Sequence, residues 1–86
     1  MPTYEILLSR AARKQLNALP VFIYDKIIEH ITALADTPRP QGCKKLKGQK
    51  NAWRIRVNDY RVIYEIEDKQ LRILVIAIGH RKDVYE

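Results

Sequence analysis

Residues 52–67 read Ala52-Trp53-Arg54-Ile55-Arg56-Val57-Asn58-Asp59-Tyr60-Arg61-Val62-Ile63-Tyr64-Glu65-Ile66-Glu67. Two runs of apolar and polar alternation flank the pair Asn58-Asp59. Alternation at period two is the signature of strands with one buried face. Asn and Asp tolerate the positive φ that a two-residue hairpin turn requires. The turn then sets Val57 opposite Tyr60, Arg56 opposite Arg61 and Ile55 opposite Val62. A third run, Leu71–Ile78, follows the connection Glu67-Asp68-Lys69-Gln70. A turn centred on Asp68-Lys69 pairs Ile66 with Leu71, Glu65 with Arg72, Tyr64 with Ile73 and Val62 with Val75. The two registers agree on a core face holding Trp53, Ile55, Val57, Tyr60, Val62, Tyr64, Ile66, Leu71, Ile73, Val75 and Ala77.

The opposite face then carries Arg54, Arg56, Arg61, Ile63, Glu65, Arg72, Leu74, Ile76 and Ile78. Arg56 and Arg61 face each other, with Arg54 two residues along. Like charges across a ladder are destabilising, whereas Glu65–Arg72 is a favourable cross-strand pair. One end of the face is thus balanced and the other all positive. Three coplanar arginines are suited to cradling an oxyanion or phosphate. Solvent screening is the alternative way to tolerate them. The apolar Ile63, Leu74, Ile76 and Ile78 beside them call for a cover: a partner protein, a nucleobase, or the chain's own C-terminal tail.

Upstream the period is 3.6. Thr3–Leu8 reads as a first strand. Ser9 is placed to cap a helix that buries Ala11, Ala12, Leu16 and Leu19. Pro20 suits the first turn of a second helix with the stripe Tyr24, Ile27, Ile28, Ile31, Leu34 and Ala35. His30 lies off that stripe and reads as an ordinary surface residue. Pro38 and Pro40 end the helix and Gly42 opens a loop. The predicted fold is α+β: one β-α-α-β-β-β domain over residues 1–86, with two N-terminal helices packed on one face of an antiparallel sheet.

The chain has 86 residues, 47% hydrophobic and 30% charged, a composition that argues against disorder. No apolar run approaches the ~20 residues of a membrane span, and the N-terminus lacks the pattern of a signal peptide. One cysteine, Cys43, excludes an internal disulfide and suits a reducing cytoplasm. With two histidines it is too little for a zinc site, so no metal or cofactor is expected. The net charge is +6, and residues 41–86 hold eleven basic against six acidic side chains, a local excess of +5. Lys44, Lys45, Lys47 and Lys50 precede the arginines. Such a patch is the footprint of a polyanion partner, and equally the kind of loop that keeps a small domain soluble. After the last strand, Gly79 offers a sharp turn, His80 titrates near neutrality, Arg81 and Lys82 add cations, and Tyr85 offers a phenol and a stacking ring.

Four segments together resemble the RelE family of toxins, in the RelE/ParE superfamily of type II toxin–antitoxin systems. They are Lys44-Lys45-Leu46-Lys47-Gly48, Trp53-Arg54-Ile55-Arg56-Val57, Asp59-Tyr60-Arg61-Val62-Ile63-Tyr64-Glu65-Ile66 and Ile78-Gly79-His80-Arg81-Lys82-Asp83-Val84-Tyr85. The resemblance implies a ribosome-dependent mRNA endonuclease that enters the 30S A site and cuts the codon there. In that reaction a 2′-hydroxyl attacks its own 3′ phosphate. The resemblance carries the family's functional positions to Arg54, Arg56, Arg61, Arg81 and Tyr85. Some relatives have lysines where Arg54 and Arg56 stand, and arginine does not deprotonate at physiological pH. Either His80 or Tyr85 then supplies the base, or catalysis rests on positioning and electrostatics, the reading favoured here. Lys44, Lys45, Lys47, Lys50 and Lys82 are expected to hold RNA phosphates. The resemblance further implies a RelB-like cognate antitoxin that covers the arginine face or displaces the C-terminal segment, with operator DNA bound only through that complex. Two other readings stay open: a ParE-like toxin that binds DNA gyrase without nuclease activity, and a non-catalytic RNA-binding module.

Overall fold

The computed structural model of the chain describes residues 3–48 and 51–80. The elements run β1 (Glu5–Leu8), α1 (Arg10–Asn17), α2 (Val21–Ala33), β2 (Lys44–Lys45), β3 (Ala52–Val57), β4 (Tyr60–Glu67) and β5 (Arg72–His80). The β-α-α-β-β-β order holds, with one short strand, β2, added before the expected hairpins. The five strands lie in the order β1-β5-β4-β3-β2. All neighbours are antiparallel except β1 and β5, which run parallel with Ile6 beside Ile73 and Leu8 beside Val75. The two helices between β1 and the later strands give the chain the length that a parallel crossover needs.

The helices cover one face of the sheet. Ser9 caps α1, its Oγ accepting from Ala12 N–H at 3.0 Å, a contact worth about 1 kcal/mol. Ala12 and Leu16 are buried beneath α1 as their spacing predicts, while Ala11 is exposed and Leu19 half-buried. Pro20 is the N-cap of α2 and not its first helical residue. The buried line of α2 runs Ile23, Ile27, Ile31 and Leu34, and Tyr24 and Ile28 flank it. Val21 and Phe22 open the helix largely exposed.

The first hairpin forms as read. Val57 pairs with Tyr60, Arg56 with Arg61 and Ile55 with Val62, and Asn58 takes φ 57° in the turn. The second hairpin differs. Ile66 pairs with Ile73, Tyr64 with Val75, Glu65 with Leu74 and Glu67 with Arg72, two residues from the expected register. The turn is longer because Leu71 leaves the strand and adopts φ 53°. A two-residue slip leaves the faces unchanged. A bulge then intervenes: Ile63 pairs with Ala77 and Tyr64 with Val75, so Ile76 is the extra residue. Beyond it the alternation of β5 inverts. Ile78 turns inward and is 1% exposed, and Ala77 turns outward, both opposite to expectation.

The outer face carries a second, smaller cluster. Leu46, Ala52 and Ile63 are buried together, with Ile76 and Ala77 against them. Ile63, expected at the surface, is therefore 6% exposed. Its cover is Leu46, which the chain lays back over the sheet after β2, with Leu46 N–H donating to Ala52 C=O at 2.9 Å. Gly79 lies inside β5 at a φ that is not positive, so it does not serve as the turn off the sheet.

Candidate nucleic-acid interface

The outer face is built in cross-strand rows. Directly opposed residues share a face, so one row is Arg56–Arg61–Gly79 and the next is Lys44–Arg54–Ile63–Ala77. Four cations from three strands meet there. The far end holds Glu65 beside Ala52 and Leu74, and Arg72 between Glu67 and Glu5, with Arg72 Nε 3.6 Å from Glu5 Oε1. The predicted asymmetry is present, with Glu5 and Glu67 in place of Glu65 as the neighbours of Arg72.

The three arginines differ in exposure. Arg56 is exposed, Arg61 is half-buried, and Arg54 is 3% exposed. A small hollow of about 160 Å³ is lined by Arg56, Asn58, Asp59, Tyr60 and Arg61. It brings both guanidinium-bearing residues of the first row to one concave surface. Such a pair suits the bidentate recognition of phosphate oxygens. Gly79 completes the row without a side chain.

His80 does not join this row. It pairs with Tyr60, and their rings meet edge to face with centroids 5.4 Å apart. Tyr60 belongs to the helix-side face with Val57, and so does His80. Both line a groove of about 280 Å³ with Gln15, Leu19, Pro20 and Ile78. Gln15 Oε1 accepts from Ile78 N–H at 2.7 Å, closing the edge of β5 beyond the end of β1.

The lysines divide. Lys44 pairs with Arg54 on the outer face, and Lys45 pairs with Trp53 on the helix side. The Arg39 guanidinium lies 5.0 Å from the Trp53 ring centroid and is held bidentately by Asp68, which also accepts from Tyr4 Oη at 2.7 Å. Lys47 is exposed just past β2, and a hollow of about 250 Å³ lies among Lys44, Lys45, Leu46 and Lys47. Lys50, Arg81, Lys82 and Tyr85 lie outside the described residues. Burial pushes the Tyr64 phenol pKa up, and its hydroxyl donates to Pro38 C=O at 2.8 Å, a structural use.

The sequence reading found Arg56, Arg61 and their pairing. It missed the Lys44–Arg54 pair, whose one signal was Leu46, an apolar residue two positions along in a cationic loop. Among the described residues no group of three His, Cys, Asp or Glu side chains is placed to hold a metal. Among them, too, no helix is long and apolar enough to cross a membrane.

Comparison with known proteins agrees with this architecture. Residues 6–85 match the family described as ParE toxin of type II toxin-antitoxin system, parDE. A protein of Escherichia coli named as a RelE-like toxin is 30% identical over 86 residues, covering 95% of this chain and 90% of its own. Toxin RelG of Mycobacterium tuberculosis is 25% identical over 83 residues, covering 95% of each chain. The archaeal RelE–RelB complex from Pyrococcus horikoshii contains a chain that superposes with a TM-score of 0.82 at 29% identity, over 95% of this chain and 99% of that one. The chain is thus a member of the RelE/ParE superfamily of toxins of type II toxin–antitoxin systems.

Proposed function

We propose that this toxin is a ribosome-dependent mRNA endonuclease acting on the A-site codon. The observation that carries the reading is Arg56 directly opposite Arg61 on the outer face, in a hollow lined by both. The 2′-oxygen attacks the adjacent phosphorus and the bond to the 5′-oxygen breaks. The products are a 2′,3′-cyclic phosphate and a 5′-hydroxyl. The 2′-proton passes to solvent, and solvent water protonates the leaving oxygen. Such a displacement gains from fixed geometry and from cations aimed at the phosphoryl oxygens. Arg56 and Arg61 supply those charges, and Arg81 and Tyr85 are assigned to the same reaction as phosphate contact and 2′-hydroxyl or base contact. His80 drops out as a base in this reading, because its ring stands with Tyr60 on the other side of the sheet.

The relative from Pyrococcus horikoshii stands in a RelE–RelB complex, and one from Methanococcus jannaschii in a RelB–RelE antitoxin–toxin complex. By that likeness this chain has its own antitoxin, which silences it by covering the cationic face, and operator DNA is bound only through their complex. A second reading rests on the match of residues 6–85 to ParE toxins. In it the same fold binds DNA gyrase and cuts nothing. Primer extension on a translated mRNA separates the two. Cuts confined to A-site codons, lost in Arg61→Ala and Arg81→Ala, are expected. Intact mRNA on active ribosomes, with inhibited supercoiling by gyrase, would transfer the protein to the second reading.

A further inference from the structure

We infer that Lys44 holds a phosphate of the messenger strand next to the reacting one, forming a subsite on β2 for single-stranded RNA. The inference rests on the nuclease reading. It separates Lys44 from Lys45, its neighbour on β2, which pairs with Trp53 on the helix side.

The argument is one of register. β2 has two residues, and successive residues of a strand point to opposite faces. Lys45 pairs with Trp53 and goes with the helix side, where Arg39 stacks on the same indole. Lys44 pairs with Arg54 and goes with Arg56 and Arg61. Neighbouring strands are about 4.8 Å apart, so Arg61 on β4, Arg56 on β3 and Lys44 on β2 span about 10 Å across the sheet. A polyanion whose reacting phosphate sits between Arg56 and Arg61 therefore runs on toward Lys44. Arg54 is buried between these positions and Lys44 is exposed, so the exposed ammonium is the group within reach of a strand lying on the surface.

Lys44 is also fixed in place. Leu46, two residues on, is buried over Ala52 and Ile63 and bonds Ala52 through its backbone. The short strand is thus anchored from its C-terminal side by an apolar contact on the same face. A lysine held this way acts as a point charge for phosphate without needing bidentate geometry.

The test is a cycle between a side chain and a single RNA linkage. Ribosomes are programmed with synthetic mRNA in which one phosphate flanking the cleaved bond is replaced by a neutral methylphosphonate. With all-phosphate mRNA, Lys44→Gln is expected to lower the single-turnover rate about tenfold, the worth of one charge-assisted contact. Lys44→Arg should restore most of it, with thermal unfolding of both variants unchanged. The methylphosphonate at one flanking position should slow the wild type by a similar factor and leave Lys44→Gln no slower than before. Losses that multiply at every flanking linkage, or a Lys44→Gln variant as fast as the wild type, would overturn the subsite while leaving the nuclease standing. Uncut all-phosphate mRNA in the wild-type arm would overturn both.

Discussion

Arg61 on β4 faces Gly79 on β5 across the ladder, so the cationic row ends against bare backbone. Directly opposed Cβ positions in an antiparallel pair are about 5 Å apart. The first atoms of a side chain at position 79 would therefore stand beside the Cβ of Arg61. Gly79 sits within a strand at a φ that is not positive, so a larger residue costs the backbone little. Gly79→Leu is expected to cut cleavage by tenfold or more while moving Tm by only a few degrees. Full activity in that variant would show that the space beside Arg61 is not used.

The burial of Arg54 separates it from Arg56, its neighbour on the same face. Arg54 is 3% exposed, whereas Arg56 is exposed. Arg54→Ala removes a buried side chain and its packing, and a loss of about 1–3 kcal/mol in urea unfolding is expected. Arg56→Ala should stay within about 0.5 kcal/mol of the wild type, as surface substitutions do. Its loss should appear in the rate, at about 10²-fold, the scale for removing one preorganised electrostatic contact. Equal stability losses would mean that the two arginines share one structural role.

These contrasts mark what the sequence could and could not convey. Alternation over 52–67 defined the hairpin, the pairing of Arg56 with Arg61, and the helix-side face up to Val75, because each strand must bury one face. The Ser9 cap was legible from its side-chain chemistry. The bulge at Ile76 was not, since Ile76-Ala77-Ile78 is apolar throughout and inverting it changes no pattern. Nor was the turn at Leu71, because leucine seldom takes positive φ; here it does so with its C=O accepting from Glu5 N–H at 2.7 Å. From the bulge follow the inward Ile78 and the helix-side His80, so one unmarked residue moved a candidate base off the arginine face.

The Asp68 cluster gives a pH prediction. The Arg39 guanidinium, and after it the Tyr4 hydroxyl, holds the Asp68 carboxyl below its ordinary value of 3.8. A carboxyl with a lowered folded pKa adds stability above its ordinary pKa and loses it as the pH falls through the lowered one. Asp68→Asn should therefore be less stable than the wild type at pH 6, and the gap should close at acid pH, as the pH falls from 3.8 through the lowered pKa. The group is exposed, so the gap should be modest and should shrink in high salt. Urea midpoints at the two pH values check it, and a gap that persists at low pH would assign the effect to something other than the ionised carboxylate.

Leu46 links the lysine loop to the sheet, and its truncation should register in both stability and activity. Leu46 is buried with Ala52 and Ile63 in a small cluster separate from the main core. Leucine-to-alanine changes in cores cost 2–5 kcal/mol, and a two-sided cluster at a sheet edge can relax, so about 2 kcal/mol is expected for Leu46→Ala. The backbone bond from Leu46 N–H to Ala52 C=O should weaken with it and raise hydrogen exchange in β2 and at Leu46, with β4 and β5 still protected. Cleavage should fall further than the stability loss explains, because Lys44 loses its placement beside Arg54. Leu46→Met keeps the apolar volume and should retain both properties. If exchange rose across the whole sheet instead, the second cluster would be part of the main cooperative core and not a local clamp on the loop.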